Sequence, residues 1–145
     1  MKHLFTIIGL FAIFMGRVTV LQAQDNPDVI LGVWFNEEKD GKIKIYKEDG
    51  KFFGKLVWVD ADKPDFTPYD EKNPDEELQK RKKVGIILLN DFTYDDERWE
   101  DGTIYDPKSG KTYSCYMKLL DDGKLFVRGY IGFSLIGRTT YWTRP

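Results

Sequence analysis

The chain has 145 residues, enough for one domain, and its 22 basic and 24 acidic side chains leave a net charge of −2. With 41% apolar and 32% charged residues it is neither disordered nor collagenous in composition. A near-neutral balance offers no footing for nucleic acid, whose phosphates reward clustered Lys and Arg, so no nucleic-acid partner is expected.

Residues 1–23 read as a signal peptide. Met1, Lys2 and His3 form a short basic start, residues 4–15 are almost wholly apolar, and Leu21-Gln22-Ala23 puts a small residue at the cut. An apolar run of about a dozen residues falls short of the roughly 20 that span a bilayer, although Arg17 behind it leaves an uncleaved anchor as the alternative. The expected mature chain is a single domain over 24–145. It is exported to the periplasm or beyond the cell, without stable membrane insertion after cleavage. No Cys stands near the cut, so a lipid-modified N-terminus is not expected. Cleavage removes His3, the only His, together with Lys2 and Arg17, leaving 20 basic against 24 acidic residues. Without imidazole the usual general base, the Ser-His and Cys-His pairs and the commonest zinc ligand are all missing. No catalytic residue, metal or cofactor is assigned. Cys115, the single cysteine, cannot form an internal disulfide and reads as a buried, small apolar residue.

From Gly32 onward the chain reads as about eight short strands: 31–35, 42–47, 51–59, 85–89, 99–105, 111–119, 124–131 and 138–143. Turn dipeptides separate them at Asp40-Gly41, Asp49-Gly50, Asp101-Gly102, Ser109-Gly110 and Asp122-Gly123, where Asp and Gly tolerate positive φ. Ile43 and Ile45 alternate with polar neighbours, as do Tyr113, Cys115, Met117 and Leu119, so each strand has one buried face and Cys115 points inward. The stretch 60–83, rich in Pro, Asp, Glu and Lys, lacks this period and is a long connection, either a lid or a solvated excursion. Within it Asn73 reads as an N-cap, Pro74 as the first helical residue and Asp75-Glu76-Glu77 as a favoured first turn, giving a short helix to about Arg81.

Eight antiparallel strands in this length predict an all-β, up-and-down barrel of lipocalin-like size, able to hold one small ligand. Its first and last strands are then neighbours. Trp34 would meet Arg138 or Arg144 there, and these three with Trp142 are the expected closure of the barrel floor.

Gly32-Val33-Trp34, Gly50-Lys51-Phe52-Phe53-Gly54-Lys55-Leu56, Asn73-Pro74-Asp75, Gly102-Thr103-Ile104-Tyr105-Asp106-Pro107, Ser109-Gly110-Lys111-Thr112-Tyr113, Val127-Arg128-Gly129-Tyr130 and Gly137-Arg138-Thr139-Thr140-Tyr141-Trp142-Thr143-Arg144 follow one another in order. This series resembles the small exported bacterial family catalogued as domain of unknown function 2147. The resemblance covers nearly all of the mature chain and implies a lipocalin-like barrel in the periplasm or outside the cell. It brings no substrate, cofactor or catalytic residue. Cys115 departs from the pattern, where a small or basic residue is expected.

Three constellations are candidates for function. Asp106 and Lys108 sit at a strand end, where a barrel mouth binds ligands, but Asp-Pro-x-Ser-Gly is also good turn chemistry. Trp58, Tyr105, Arg128 and Tyr130 form the candidate ligand set. An inward Arg128 would call for an acidic partner or an anionic head group, whereas Leu125 and Val127 as the apolar face would put Arg128 outside. Carboxylates at Asp60, Asp62, Asp65, Asp70, Glu71, Asp95, Asp96, Glu97, Glu100 and Asp101 supply raw material for a hydrolase of the two-carboxylate kind, but they cluster in loops. The leading reading is an exported, non-catalytic barrel binding a small, partly apolar or amphipathic molecule. The alternatives are an envelope structural or protein-interaction module with a filled barrel, and a carboxylate-based hydrolase.

Overall fold

The computed structural model describes residues 25–145, so the expected leader and the cut after Ala23 lie outside the described residues. Alternation of apolar and polar residues at period two gives eight strands: β1 (Gly32–Phe35), β2 (Gly41–Glu48), β3 (Lys51–Val59), β4 (Ile87–Asp95), β5 (Arg98–Asp106), β6 (Lys111–Leu119), β7 (Leu125–Tyr130) and β8 (Gly137–Trp142). Each pairs antiparallel with the next, in the spatial order β1 to β8, so the chain is an all-β, up-and-down meander. Among the described residues the helical elements are two 3-10 turns, Pro27–Ile30 and Leu78–Lys80, and no helix is long and apolar enough to cross a membrane.

The sheet closes on itself through a short seam. The Phe35 N–H donates to the Thr143 carbonyl at 2.7 Å, and the Thr143 N–H returns a bond to the Phe35 carbonyl at 3.1 Å. Toward the start of β1 the ladder stops, and Arg144 takes its place. Its Nη1 donates to the carbonyls of Leu31 (3.0 Å) and Val33 (3.3 Å), and its Nη2 donates to that of Val29 (2.9 Å). The same guanidinium lies 4.0 Å from the Trp34 ring centroid. Trp34 is 1% exposed and donates its Nε1–H to the Ile30 carbonyl at 2.8 Å, so one Arg ties the last residues of the barrel to the 3-10 turn that plugs its floor. Of the two arginines the sequence offers for this contact, Arg144 makes it. Arg138 lies at the other end of β8, its side chain 75% exposed.

Above the plug the closed end is packed with large side chains. Phe52, Phe92 and Trp99 are buried there with Ile45, Met117 and Leu125. Trp99 meets Phe52 edge-on with ring centroids 6.4 Å apart, a favourable aromatic geometry, and donates Nε1–H to the Pro27 carbonyl at 3.1 Å. Cys115 is fully buried, as its alternation requires, and burial pushes its thiol well above the usual range.

Three expectations are corrected. The fourth strand is not the short 85–89 segment but runs to Asp95, and Asp96-Glu97 (φ 47° and 60°) makes the tight hairpin into β5 without a glycine. Asp101-Gly102, read as a turn, is a bulge inside β5: Asp101 has φ 60°, and the register shifts between Trp99 and Gly102. A Cβ on Gly102 would lie 2.5 Å from the Phe92 ring, so glycine is required there by close packing. The helix begun at Pro74 does not form. Asn73 accepts from the Asp75 N–H at 2.9 Å in a local turn, but it is buried and spends its amide on tertiary bonds. Within the connection the helical residues are the 3-10 turn Leu78–Lys80.

Trp34→Ala should cost about 3 to 5 kcal/mol in chemical denaturation, because a buried indole leaves a cavity. In double-mutant cycles Trp34→Ala should couple to Arg144→Ala by more than about 0.5 kcal/mol and be additive with Arg138→Ala. The reverse pattern would remove Arg144 from the closure.

Candidate functional site

The end opposite Trp34 is open, and a cavity of about 540 Å³ descends from it between the strands. Ile43, Leu56, Leu88, Ile104 and Val127 line its apolar wall, and Trp142 closes the base. Ile43 lies opposite Leu56 across β2 and β3, and Val127 lies opposite Thr140 across β7 and β8, so these side chains face inward together. The rim is formed by the four loops that join β1 to β2, β3 to β4, β5 to β6 and β7 to β8. It carries Glu37, Glu38, Asp40, Asp60, Asp65 and Asp106 against Lys63, Lys83, Lys108 and Arg138. A polar ring above an apolar shaft suits a molecule with an apolar body and a polar head.

Two polar clusters hold the rim in shape. In the first, Lys108 donates its ammonium to Glu38 and, at 3.0 Å, to Asp40, bridging the β5–β6 loop to the β1–β2 loop. Asn36 Nδ2 donates to Asp40 at 2.6 Å. Burial alone would raise the Asp40 pKa, but the Asn36 bond and the Lys108 charge outweigh it and hold the carboxyl below its usual value. Burial likewise opposes the Lys108 charge, and Glu38 and Asp40 overcome it to raise that pKa. Asp106 caps the turn that presents Lys108. It accepts from the Lys108 N–H (3.0 Å) and the Ser109 hydroxyl (2.8 Å), so the Asp-Pro-x-Ser-Gly stretch is a built turn whose lysine crosses the mouth.

The second cluster fastens the long connection to the barrel wall. Asp70 is completely buried and accepts from the Tyr105 hydroxyl (2.6 Å), Asn73 Nδ2 (2.9 Å) and Arg81 Nε (3.0 Å). Arg81 also lies over the Tyr105 ring, 5.7 Å from its centroid. Nearby, Gly110 at φ 72° lets the Lys72 carbonyl approach to where a Cβ would be only 1.8 Å away. The connection is therefore a strap bonded to β5 through Tyr105 and packed closely against the β5–β6 turn at Gly110, and its residues Asp60, Lys63, Asp65, Phe66 and Lys83 reach the rim.

The structure distributes the candidate ligand set. Tyr105 and Tyr130 border the cavity, but the Tyr105 hydroxyl is committed to Asp70, and the Tyr130 ring lies beside Tyr116 at 6.2 Å on the outer wall. Trp58 is outside, edge-on to Phe35 at 6.3 Å with the Lys42 ammonium 5.0 Å from its ring. Arg128 is also outside, donating Nε–H to the Ser134 carbonyl (2.7 Å) and Nη1–H to Thr139 Oγ1 (2.9 Å). Of the closure residues, Trp142 and Arg138 line the cavity, at its base and rim. Among the candidate carboxylates Asp60 and Asp65 reach the rim, Asp70 is spent on the strap, and Asp95, Asp96, Glu97, Glu100 and Asp101 lie on the β4–β5 hairpin, away from the cavity lining. Among the described residues no three metal-ligating side chains converge. The wall residues Ile104, Leu56 and Thr140 and the rim residues Glu38, Asp40, Lys63 and Lys83 were not singled out from sequence. Period-two alternation carried the signal for the wall, but nothing local to the loops marked the rim.

Burial, then the Asp70 bond and charge, push the Tyr105 hydroxyl from 10.0 up to about 12. A raised folded-state pKa stabilises the fold below the unfolded value and loses that contribution as pH rises, here between 10 and about 12. Tyr105→Phe should lose about 1 to 3 kcal/mol near neutral pH, because Asp70 keeps its burial but loses a donor. Its stability should also fall less steeply than the wild type's over that alkaline window. An identical alkaline slope in urea titrations would dissociate Tyr105 from the strap.

The geometry agrees with what the chain is similar to. A solved structure from Helicobacter pylori, protein HP1028, described as belonging to the lipocalin family, superimposes with a TM-score of 0.69 at 22% identity, covering 79% of this chain and 82% of that one. At that identity the likeness establishes the fold: a lipocalin-like barrel. No curated protein matches the sequence. The family described as "Uncharacterized protein conserved in bacteria (DUF2147)" matches residues 32–144, most of the barrel from β1 to Arg144, and the chain belongs to that family.

Proposed function

We propose that this protein is an exported, non-catalytic carrier or sensor that binds one small amphipathic molecule, apolar body in the shaft and polar head at the rim. The observation that carries the reading is the open cavity of about 540 Å³. Such a volume lies within the roughly 300 to 1,000 Å³ typical of small-molecule sites, and a barrel filled by its own side chains would not leave it. Export is supported by the basic start, the apolar run and Ala23. A protein-interaction module with a filled interior is the weaker reading on the same observation. The head group is not selected by Arg128, whose guanidinium serves the outer wall; the arginine at the rim is Arg138.

The size of the effect follows from area: an apolar wall gains on the order of 25 cal/mol for each Å² the ligand covers. Protein taken from its own host should release an amphipathic molecule on solvent extraction, and a fluorescent fatty-acid-like probe should raise its melting temperature. Thr140→Trp, which directs an indole into the shaft, should abolish probe binding while the fold persists, and Arg128→Ala should leave the probe's affinity unchanged. Failure of every amphiphile in a broad panel to shift the melting temperature, with nothing extracted, would end the carrier reading.

A further inference from the structure

Between β7 and β8 the chain turns through Ile131-Gly132-Phe133-Ser134-Leu135-Ile136, and four large apolar side chains in these six residues face water. Ile131 is 64% exposed, Phe133 73%, Leu135 91% and Ile136 62%. Single exposed apolar side chains are ordinary, whereas four on one hairpin tip form a patch that water does not favour. The tip is nevertheless a built turn. The Phe133 N–H donates to the Ile131 carbonyl (2.8 Å), the Ile136 N–H to the Phe133 carbonyl (3.0 Å) and the Ile131 N–H to the Ile136 carbonyl (3.0 Å). The Ser134 carbonyl accepts from Arg128. These internal partners lower the cost of taking the tip's backbone out of water.

At the base of the tip stand two guanidinium groups. Arg128, on β7, bonds only a carbonyl and a hydroxyl, and no carboxylate lies within ion-pair distance of it among the described residues. Arg138, on β8, reaches Glu38 only at 3.9 Å and is 75% exposed. We propose that residues 131–136 are a membrane-docking tip: Phe133, Leu135 and their neighbours enter the interfacial layer of an anionic bilayer, and Arg128 and Arg138 meet the lipid phosphates. The occupant is a lipid surface because of area and shape. A convex tip of six residues cannot by itself supply the roughly 800 Å² per partner of a stable protein interface, whereas a bilayer accepts any apolar shape and rewards it in proportion to the area inserted. Ile131 and Ile136 also line the cavity mouth, so a docked barrel faces its opening toward the lipid. Docking goes beyond the ligand reading and does not require it, since an empty barrel carries the same tip.

Cosedimentation with phosphatidylethanolamine vesicles, with and without phosphatidylglycerol, tests this directly on the full chain, because any leader is common to every variant compared. The wild type should bind vesicles containing phosphatidylglycerol more tightly than vesicles without it. Phe133→Ser with Leu135→Ser should reduce partitioning by about tenfold or more at an unchanged melting temperature, since these side chains lie in water in the free protein. Arg128→Gln with Arg138→Gln should abolish the preference for phosphatidylglycerol. In Phe133→Trp, brominated lipid should quench the new indole. Equal partitioning of the double-serine variant would overturn the proposal, as would an unquenched indole. A concentration-dependent dimer that the double-serine variant abolishes, without lipid binding by the wild type, would assign the tip to a second copy instead.

Discussion

The barrel depends on a seam that its backbone only half completes. Antiparallel pairing propagates from β1 to β8, through tight turns everywhere but at the long strap between β3 and β4, but the return contact between first and last strands is a single bridge at Phe35 and Thr143. Beyond that bridge the carbonyls of Leu31 and Val33 would be unpaired sheet-edge groups. Arg144 satisfies both, and a third on Val29, with one planar fork, and it covers the Trp34 ring with the same group. A lysine could offer a charge but not that fork, so the closure is specific to arginine. Because the guanidinium also grips the carbonyls around the 3-10 turn, closing the wall and plugging the floor are one event.

That arrangement gives the two ends different character. At the floor the side chains are bulky and interlocked: Trp34, Phe52, Phe92 and Trp99 are all nearly inaccessible. At the mouth the walls are lined by smaller or shorter groups, and stability comes instead from polar bonds between loops, through Lys108 with Glu38 and Asp40 and through Asp70 with Tyr105, Asn73 and Arg81. The Asp70 cluster satisfies a buried charge with three donors. Removing any one of them costs more than the bond itself, because the carboxylate stays buried. The strap is therefore held firmly while remaining polar, which keeps the cavity entrance wet and the shaft below it apolar.

Much of this was legible in the residues and some was not, for identifiable reasons. Period two placed β3 and β6 at their observed bounds and pointed Cys115 inward, because each of these strands has one buried face. Gly32-x-Trp34 and the terminal arginines announced the closure but could not choose between Arg138 and Arg144, which lie at opposite ends of β8. Asp101-Gly102 misled because positive φ suits a hairpin turn and a bulge equally; the Phe92 ring lying on Gly102 decides between them, and that contact is tertiary. Asn73 misled in the same way, since its capping chemistry is real but its amide is drawn to Asp70 and Tyr105. Arg128 alternates with Val127, so its outward position was readable once Val127 was assigned to the interior.

The same alternation explains why the cavity lies where it does. Along β7 the inward positions run from Leu125 at the floor through Val127 to Gly129 at the mouth, and their partners on β8 run from Trp142 through Thr140 to Arg138. Side-chain bulk falls toward the mouth on one strand and is exchanged for polarity on the other. With eight strands the barrel's interior is just wide enough for large side chains to fill it, so replacing them by Thr and Gly near one end opens a shaft without widening the sheet. The loop that joins these two strands then leaves the barrel as the apolar 131–136 tip. Apolar lining thus runs from Trp142 at the base of the shaft, by Val127, to Ile131 and Ile136 at its lip, where Arg138 brings the first charge on this side of the rim.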